Sequence, residues 1–276
     1  MATRFWVGGT GTWDASTTTH WAATSNGAGG ASVPGSADTV TFDGSSGGGT
    51  VTVNTTVNVI SLTTSAFTGT LDFSVNNNNV TLSGSWANTG SGVRTIKLGA
   101  GIFALSGGGN WSWNSASNLT FDAGTSAIVM SGASAGSTQS FNGGGFTYAT
   151  VEIGAITTAG SAHSISQGNT FGTLKIDGPN NVTLNQSVTQ TVTSLDINGS
   201  SSGLIELASA NAGANATISV ASGAPTLSFA ALSRITFTGG ATFAANSSFD
   251  MLGNSGITIN GPSGGSAAFP PVRAAA

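Results

Sequence analysis

Ten acidic residues, six basic residues and two histidines carry almost all the ionisable chemistry of this 276-residue chain, so any reaction site must be assembled from very few groups. Three of them stand in matching places. Glu152, Lys175 and Asp196 each lie between two apolar residues, in the runs TVEI, TLKI and SLDI. On neighbouring β-rungs, about 4.8 Å apart, they form one outward acid–base–acid column. Each adjacent pair in such a column contributes about 0.2–1 kcal/mol. Two rungs separate Glu152 from Asp196 by about 9.6 Å, near the upper end of the ~6.5–9.5 Å spacing of inverting glycosidases. Lys175 between them keeps both carboxylates ionised, which removes the general acid. The column therefore reads as a solvated ladder before it reads as a catalytic pair.

The remaining candidates are sparser. His20 and His163 stand apart from any cluster with metal-ligand or triad spacing, and the chain has no cysteine, so thiolate metal sites and disulfides are excluded. Asp43 and Asp122 each close an apolar–Thr–apolar run just before small residues, where a carboxylate bonds nearby backbone. A calcium corner would need a Gly-Gly-x-Gly-x-Asp run, and none is present. The glycine triplets at 47–49, 107–109 and 143–145 lack the lysine and helix of a phosphate loop. Trp111 and Trp113, two apart and flanked by Asn110 and Asn114, share one face. Exposed, they are a platform for sugar rings or a partner; turned inward, they fill the core. No catalytic, cofactor-binding or metal-binding residue is expected.

The elements that must hold these residues are short strands. One signature, apolar–Thr–apolar, recurs at Val40–Phe42, Val80–Leu82, Leu119–Phe121, Val182–Leu184, Ile235–Phe237 and Ile257–Ile259. Its middle threonines (Thr41, Thr81, Thr120, Thr183, Thr236, Thr258) suggest an outward column, although their spacing is too uneven to match an ice lattice. The second signature, with a charge between apolar residues, also occurs at Thr70–Phe73. Period-two alternation makes these half-buried strands, and no helical stripe of useful length exists. Intervals of 23 and 21 residues fit a solenoid coil and are half a propeller blade. The expected fold is all-β, a parallel β-helix, with a β-sandwich or jelly roll as the alternative. The expected organisation is a Trp/Gly-rich cap or docking segment over 1–37, a β-solenoid over 38–260 and an extended tail over 261–276. Trp6, Trp13 and Trp21 should lie over the first coil and hide its backbone edge, which is otherwise an aggregation template.

Composition narrows the partners. Only 6% of residues are charged, and the six basic residues are scattered, so no patch exists to neutralise nucleic-acid phosphates. Fourteen Phe and six Trp argue against disorder despite 42 Gly. No apolar region follows Met1, so no secretory leader is expected, and no stretch approaches a membrane span. Release by lysis, or export through an uncleaved C-terminal signal, fits both an extracellular-type composition and this lack of a leader.

The run from Arg4 to Asp14 (RFWVGGTGTWD), then His20 and Trp21, then Gly29 to Pro34 (GGASVP) and Asp38 to Gly44 (DTVTFDG), resembles the opening of phage-encoded β-solenoid virion proteins of the head-decoration, tail-fibre or spike type. The resemblance is specific over residues 4–53 and compositional beyond them. It implies a non-enzymatic particle component on the virion surface, made in the host cytoplasm and released by lysis. It further implies a homotrimer contacting capsid or tail proteins, with host-surface glycans as a further partner. Two other readings remain: a polysaccharide-binding or polysaccharide-degrading tailspike, and a secreted bacterial β-helix adhesin.

Overall fold

Thr39–Phe42 shows how each coil is made. Val40 and Phe42 point inward and are fully buried, while Thr39 and Thr41 face outward. The β-branched residues suit the pleated chain, and the strand ends at Asp43, whose Oδ1 accepts the Ser45 amide at 2.8 Å. The same side-chain turn closes other strands: Asp14 takes Ser16, Asp72 takes Ser74, Asp122 takes Gly124 and Asp250 takes Leu252, each at 2.8–2.9 Å. Half of the chain's acidic residues are thus corner pieces.

The computed structural model describes residues 1–113, 117–132 and 134–262. Among them there is no helix, and the strands wind into a parallel β-solenoid of about nine turns. Sheet A is twelve-stranded and runs the whole length, from Thr3–Trp6 to Phe249–Asp250. Sheet B has five strands, from Gly11–Trp13 to Leu119–Asp122. Sheet C runs from Val57–Val59 to Ile257–Ile259. Parallel pairing between successive coils, with one antiparallel pair where Trp21–Ala22 meets Thr3–Trp6, excludes the sandwich. Coil length varies from 14 residues (Phe243 to its partner Ile257) to 40 (Gly11 to its partner Val51), and the 30-residue step from Trp111 to its partner Phe141 is why the repeat fades in the middle of the sequence. Asn114 and the part of the expected tail from residue 263 onward lie outside the described residues.

The interior changes character along the axis. Up to Phe171 it is a stack of rings, in which Trp86 meets Phe73, Phe103, Trp111 and Trp113 at centroid distances of 5.0–5.9 Å. Beyond it the core is aliphatic (Val182, Leu184, Ile205, Leu207, Ile218, Leu232) apart from the Phe237–Phe243 pair at 5.0 Å.

The first thirty-seven residues supply a coil as well as a cover. Thr3–Trp6 and Gly11–Trp13 are rungs of sheets A and B, with Thr3 opposite Thr39 and Gly11 opposite Val51. Trp21–Ala22 then folds back antiparallel along Thr3–Trp6, pairing Trp6 with Trp21. Trp6, Trp13 and Trp21 are all buried, with the Trp21 ring 5.1 Å from Trp6 and 5.0 Å from Trp13. His20 stacks on Trp6 at 4.7 Å and 6°, its Nδ1 3.0 Å from the Val7 carbonyl oxygen. Gly11 makes room for it, since a Cβ there would lie 2.6 Å from His20 Nε2.

Candidate functional site

The long strands Thr147–Ile153, Thr170–Asp177 and Thr189–Asn198 bring Glu152, Lys175 and Asp196 side by side on adjacent rungs. The bonds differ from a simple acid–base–acid ladder. Lys175 Nζ lies 3.6 Å from Glu152 Oε1 but takes its second carboxylate from its own strand, Asp177 Oδ2 at 2.9 Å. Asp177 first, and Glu152 with it, hold the Lys175 ammonium above its ordinary range. Asp196 accepts from Asn198 instead. Both members of the candidate carboxylate pair are thus engaged, Glu152 with Lys175 and Asp196 with Asn198.

A second ladder of the same kind lies in the runs TLDF, TIKL and TFDA, 25 residues apart. Asp72, Lys97 and Asp122 occupy successive rungs of sheet B, with Lys97 Nζ 3.6 Å from Asp72 Oδ2. Thr52 and Thr12 continue that row, and Thr50, Thr70, Thr95 and Thr120 form the row beside it. The threonine column expected from the first signature is therefore corrected. Thr41 and Thr183 lie on sheet A, Thr81 and Thr258 on sheet C and Thr120 on sheet B. The signature marks any strand of a coil, so equal motifs do not imply equal faces.

Trp111 and Trp113 are fully buried, stacked at 4.8 Å, so neither presents a ring to a sugar or a partner in solution. The coil around them is wide enough to enclose both indoles because all three sheets are present there. The second histidine is also internal. His163 Nδ1 lies 2.9 Å from Asn180 Oδ1 and its Nε2 lies 3.1 Å from Gln139 Oε1. Both amides are oriented by their own NH2 groups. Gln139 Nε2 donates to the Leu105 and Gly109 carbonyls, and Asn180 Nδ2 to those of Gly154 and Asp177. Burial pushes the imidazole below its ordinary pKa, with the Asn180 hydrogen bond opposing. Arg94, likewise buried, donates to Asn88 Oδ1 at 2.7 Å and to the Gly92 and Ser117 carbonyls. Among the described residues, no three His, Asp or Glu side chains gather as a metal site would require.

A concave feature of the surface lies where sheet B stops. In the coil containing Leu119–Asp122, a corner loop, 123–126, separates that strand from Ala127–Met130 of sheet C. In the next three coils the loop is gone, and one long strand spans both faces. The pairing registers there step from Tyr148–Phe171–Val192 to Thr150–Thr173–Ser194, passing over Ala149, Gly172 and Thr193. One coil further on the loop returns as 221–225, between Ala216–Val220 and Thr226–Ser228. Three smooth rungs between two projecting loops make a notch. It contains two hollows of about 370 and 220 Å³, which share Thr193. The row Ala149, Gly172, Thr193 is its floor. The rows Thr147–Thr170–Thr191 and Thr150–Thr173–Ser194 flank it with in-register hydroxyls. Half-buried Phe121 stands in the end wall, because no further strand of sheet B covers it.

Compared with protein-family models, curated proteins and solved structures, the chain matches none.

Proposed function

We propose that this chain is a non-enzymatic structural component of a bacteriophage particle, displayed on the particle exterior as capsid decoration or as part of a fibre or spike. The observation that carries the reading is the continuous hydrophobic core, running from Trp6 to Ala245 and wrapped in outward rows of Ser and Thr. A rod of this kind resists bending because every coil is hydrogen-bonded to the next, and it stays soluble through hydroxyls and amides rather than charge. The sequence resemblance over residues 4–53 points the same way. The non-enzymatic part rests on Glu152 and Asp196, whose oxygens are held by Lys175 and Asn198.

Density-purified phage particles carrying this gene should contain the chain in multiple copies, and an antibody against it should label intact particles. Absence from purified particles overturns the proposal. Light scattering of the isolated protein should give a trimer. Glu152→Ala and Asp196→Ala should leave the mass distribution of host polysaccharide as unchanged as the wild type does; cleavage by the wild type alone would make the chain an enzyme.

A further inference from the structure

We propose that the three-rung notch is a binding site for one strand of an extended, neutral polysaccharide lying along the solenoid axis. The inference holds wherever the chain is displayed and needs no particle. Four observations carry it. The hydroxyl rows Thr147–Thr170–Thr191 and Thr150–Thr173–Ser194 repeat at the rung spacing, about 4.8 Å. A linear polymer lying along the rungs therefore meets Thr147 and Thr170 in the first hollow and Thr193 and Ser194 in the second. The floor between the rows is low because its residues are Ala149, Gly172 and Thr193. A Cβ on Gly172 would lie 2.5 Å from the Ala149 carbonyl oxygen, so that rung cannot carry a side chain without moving the backbone.

The ends define a length. Loops 123–126 and 221–225 stand about 19 Å apart, four rung intervals. That separation suits a segment of about three to four sugar rings, with the polymer leaving over the loops at each end. At the first end the half-buried Phe121 ring offers the apolar surface on which a sugar face packs.

Charge selects the class. No basic side chain lines either hollow, and Asp122 is the sole ionised residue along them. Two charged rows border the notch: Asp72–Lys97–Asp122 ends at the first hollow, with Lys97 Nζ turned to Asp72 at 3.6 Å, and Glu152–Lys175–Asp196 lies beyond the second hydroxyl row, engaged with Asp177 and Asn198. An anionic glycan would gain no free cation here and would face Asp122. A neutral one exchanges water for hydroxyl and backbone partners, which is how polar sites recognise uncharged ligands. This site takes the place of the buried Trp111–Trp113 pair as the glycan contact of the molecule.

The test uses the intact chain and three neutral hexasaccharides: cellohexaose, maltohexaose and chitohexaose. Oligogalacturonate of the same length serves as the anionic control, and binding is followed by calorimetry. At least one neutral hexamer should bind, with affinity rising from the disaccharide and levelling off near the tetramer. Thr193→Trp, which fills the shared part of both hollows from an exposed position, should weaken that binding at least tenfold. Thr193→Val, which keeps the shape and removes one hydroxyl, should weaken it about threefold. Both variants should keep the wild-type circular dichroism and melting temperature. The proposal fails if none of the three neutral hexamers binds, if Thr193→Trp leaves their binding unchanged, or if oligogalacturonate binds as tightly. These results are separable from the virion assignment, which is decided on purified particles.

Discussion

At the N-terminal end, the outer edge of Thr3–Trp6 is covered by Trp21–Ala22, and three indoles with one imidazole close the core. At the C-terminal end, Phe249–Asp250 and Ile257–Ile259 are bounded by a strand on one side only among the described residues. Leu252 is 75% and Met251 37% exposed there, and Ile257 and Ile259 are half-buried. A solenoid must end somewhere, and each end leaves a row of unpaired amides and carbonyls and a slice of core. One end is shut by a buried aromatic cluster and the other by corner turns. The difference teaches that rung pairing supplies continuity while end treatment decides where the rod opens. In quasi-one-dimensional folds each repeat contacts only its neighbours, so an end coil has about half the interface of a central one.

The comparison is sharpest in a matched pair of substitutions. Trp21→Ala should destabilise by about 3–5 kcal/mol, the range for a buried tryptophan, and should promote association as the Thr3–Trp6 edge is uncovered. Ile259→Ala, half-buried at the other end, should cost about 1 kcal/mol. Chemical denaturation with light scattering measures both, and equal losses would remove the asymmetry. Hydrogen exchange reads the same contrast without mutation: amides of Ile257–Ile259 should exchange at least a hundredfold faster than those of Thr3–Trp6.

Acid offers a third approach. The folded state holds the His163 imidazole below its unfolded pKa through burial. The unfolded chain therefore binds a proton that the folded chain does not. This contribution is full above about pH 6.5 and is lost as pH falls below it, at up to about 1.4 kcal/mol per pH unit. Stability should fall between pH 7.5 and 5.5, with exchange rising from Ala162–Ser166 toward the C-terminus before Thr3–Trp6 responds. The slope should flatten in His163→Met. The smallest effect is reserved for the surface. Lys175→Met removes a half-exposed ion pair and should change stability by less than about 1 kcal/mol and leave the exchange contrast between the ends untouched.

Much of the architecture was legible because short strands with period-two alternation and low-twenties spacing leave few folds open. The TVEI, TLKI and SLDI runs read in register because their coils carry nearly equal numbers of residues. Where coil length changes, register cannot be read, and the 30-residue step from Trp111 to Phe141 scrambles the middle. The Asp72–Lys97–Asp122 row, in the runs TLDF, TIKL and TFDA at equal 25-residue spacing, carries the same signal as the TVEI column. Trp111 and Trp113 show a second limit. Alternation says that two residues share a face but not which face is inside, and only the width of the enclosing coil decides it. The notch was not legible for a related reason. It arises from corner loops missing in three successive coils, a feature of what the sequence lacks relative to its neighbours rather than of any motif it contains.

The covered N-terminal edge also bears on how the chain is made. Parallel strands pair only after a whole coil has been added, and such non-local pairing is slow and exposed to misassembly. Synthesis delivers the tryptophan cluster and its two rungs before any later coil. At about 5–20 residues per second, a further coil leaves the ribosome every one to five seconds. Each arrives beside a finished edge of matching register, while the opposite edge is already blocked by Trp21–Ala22. Growth of sheet A then has one direction and one template, set before the second coil is complete.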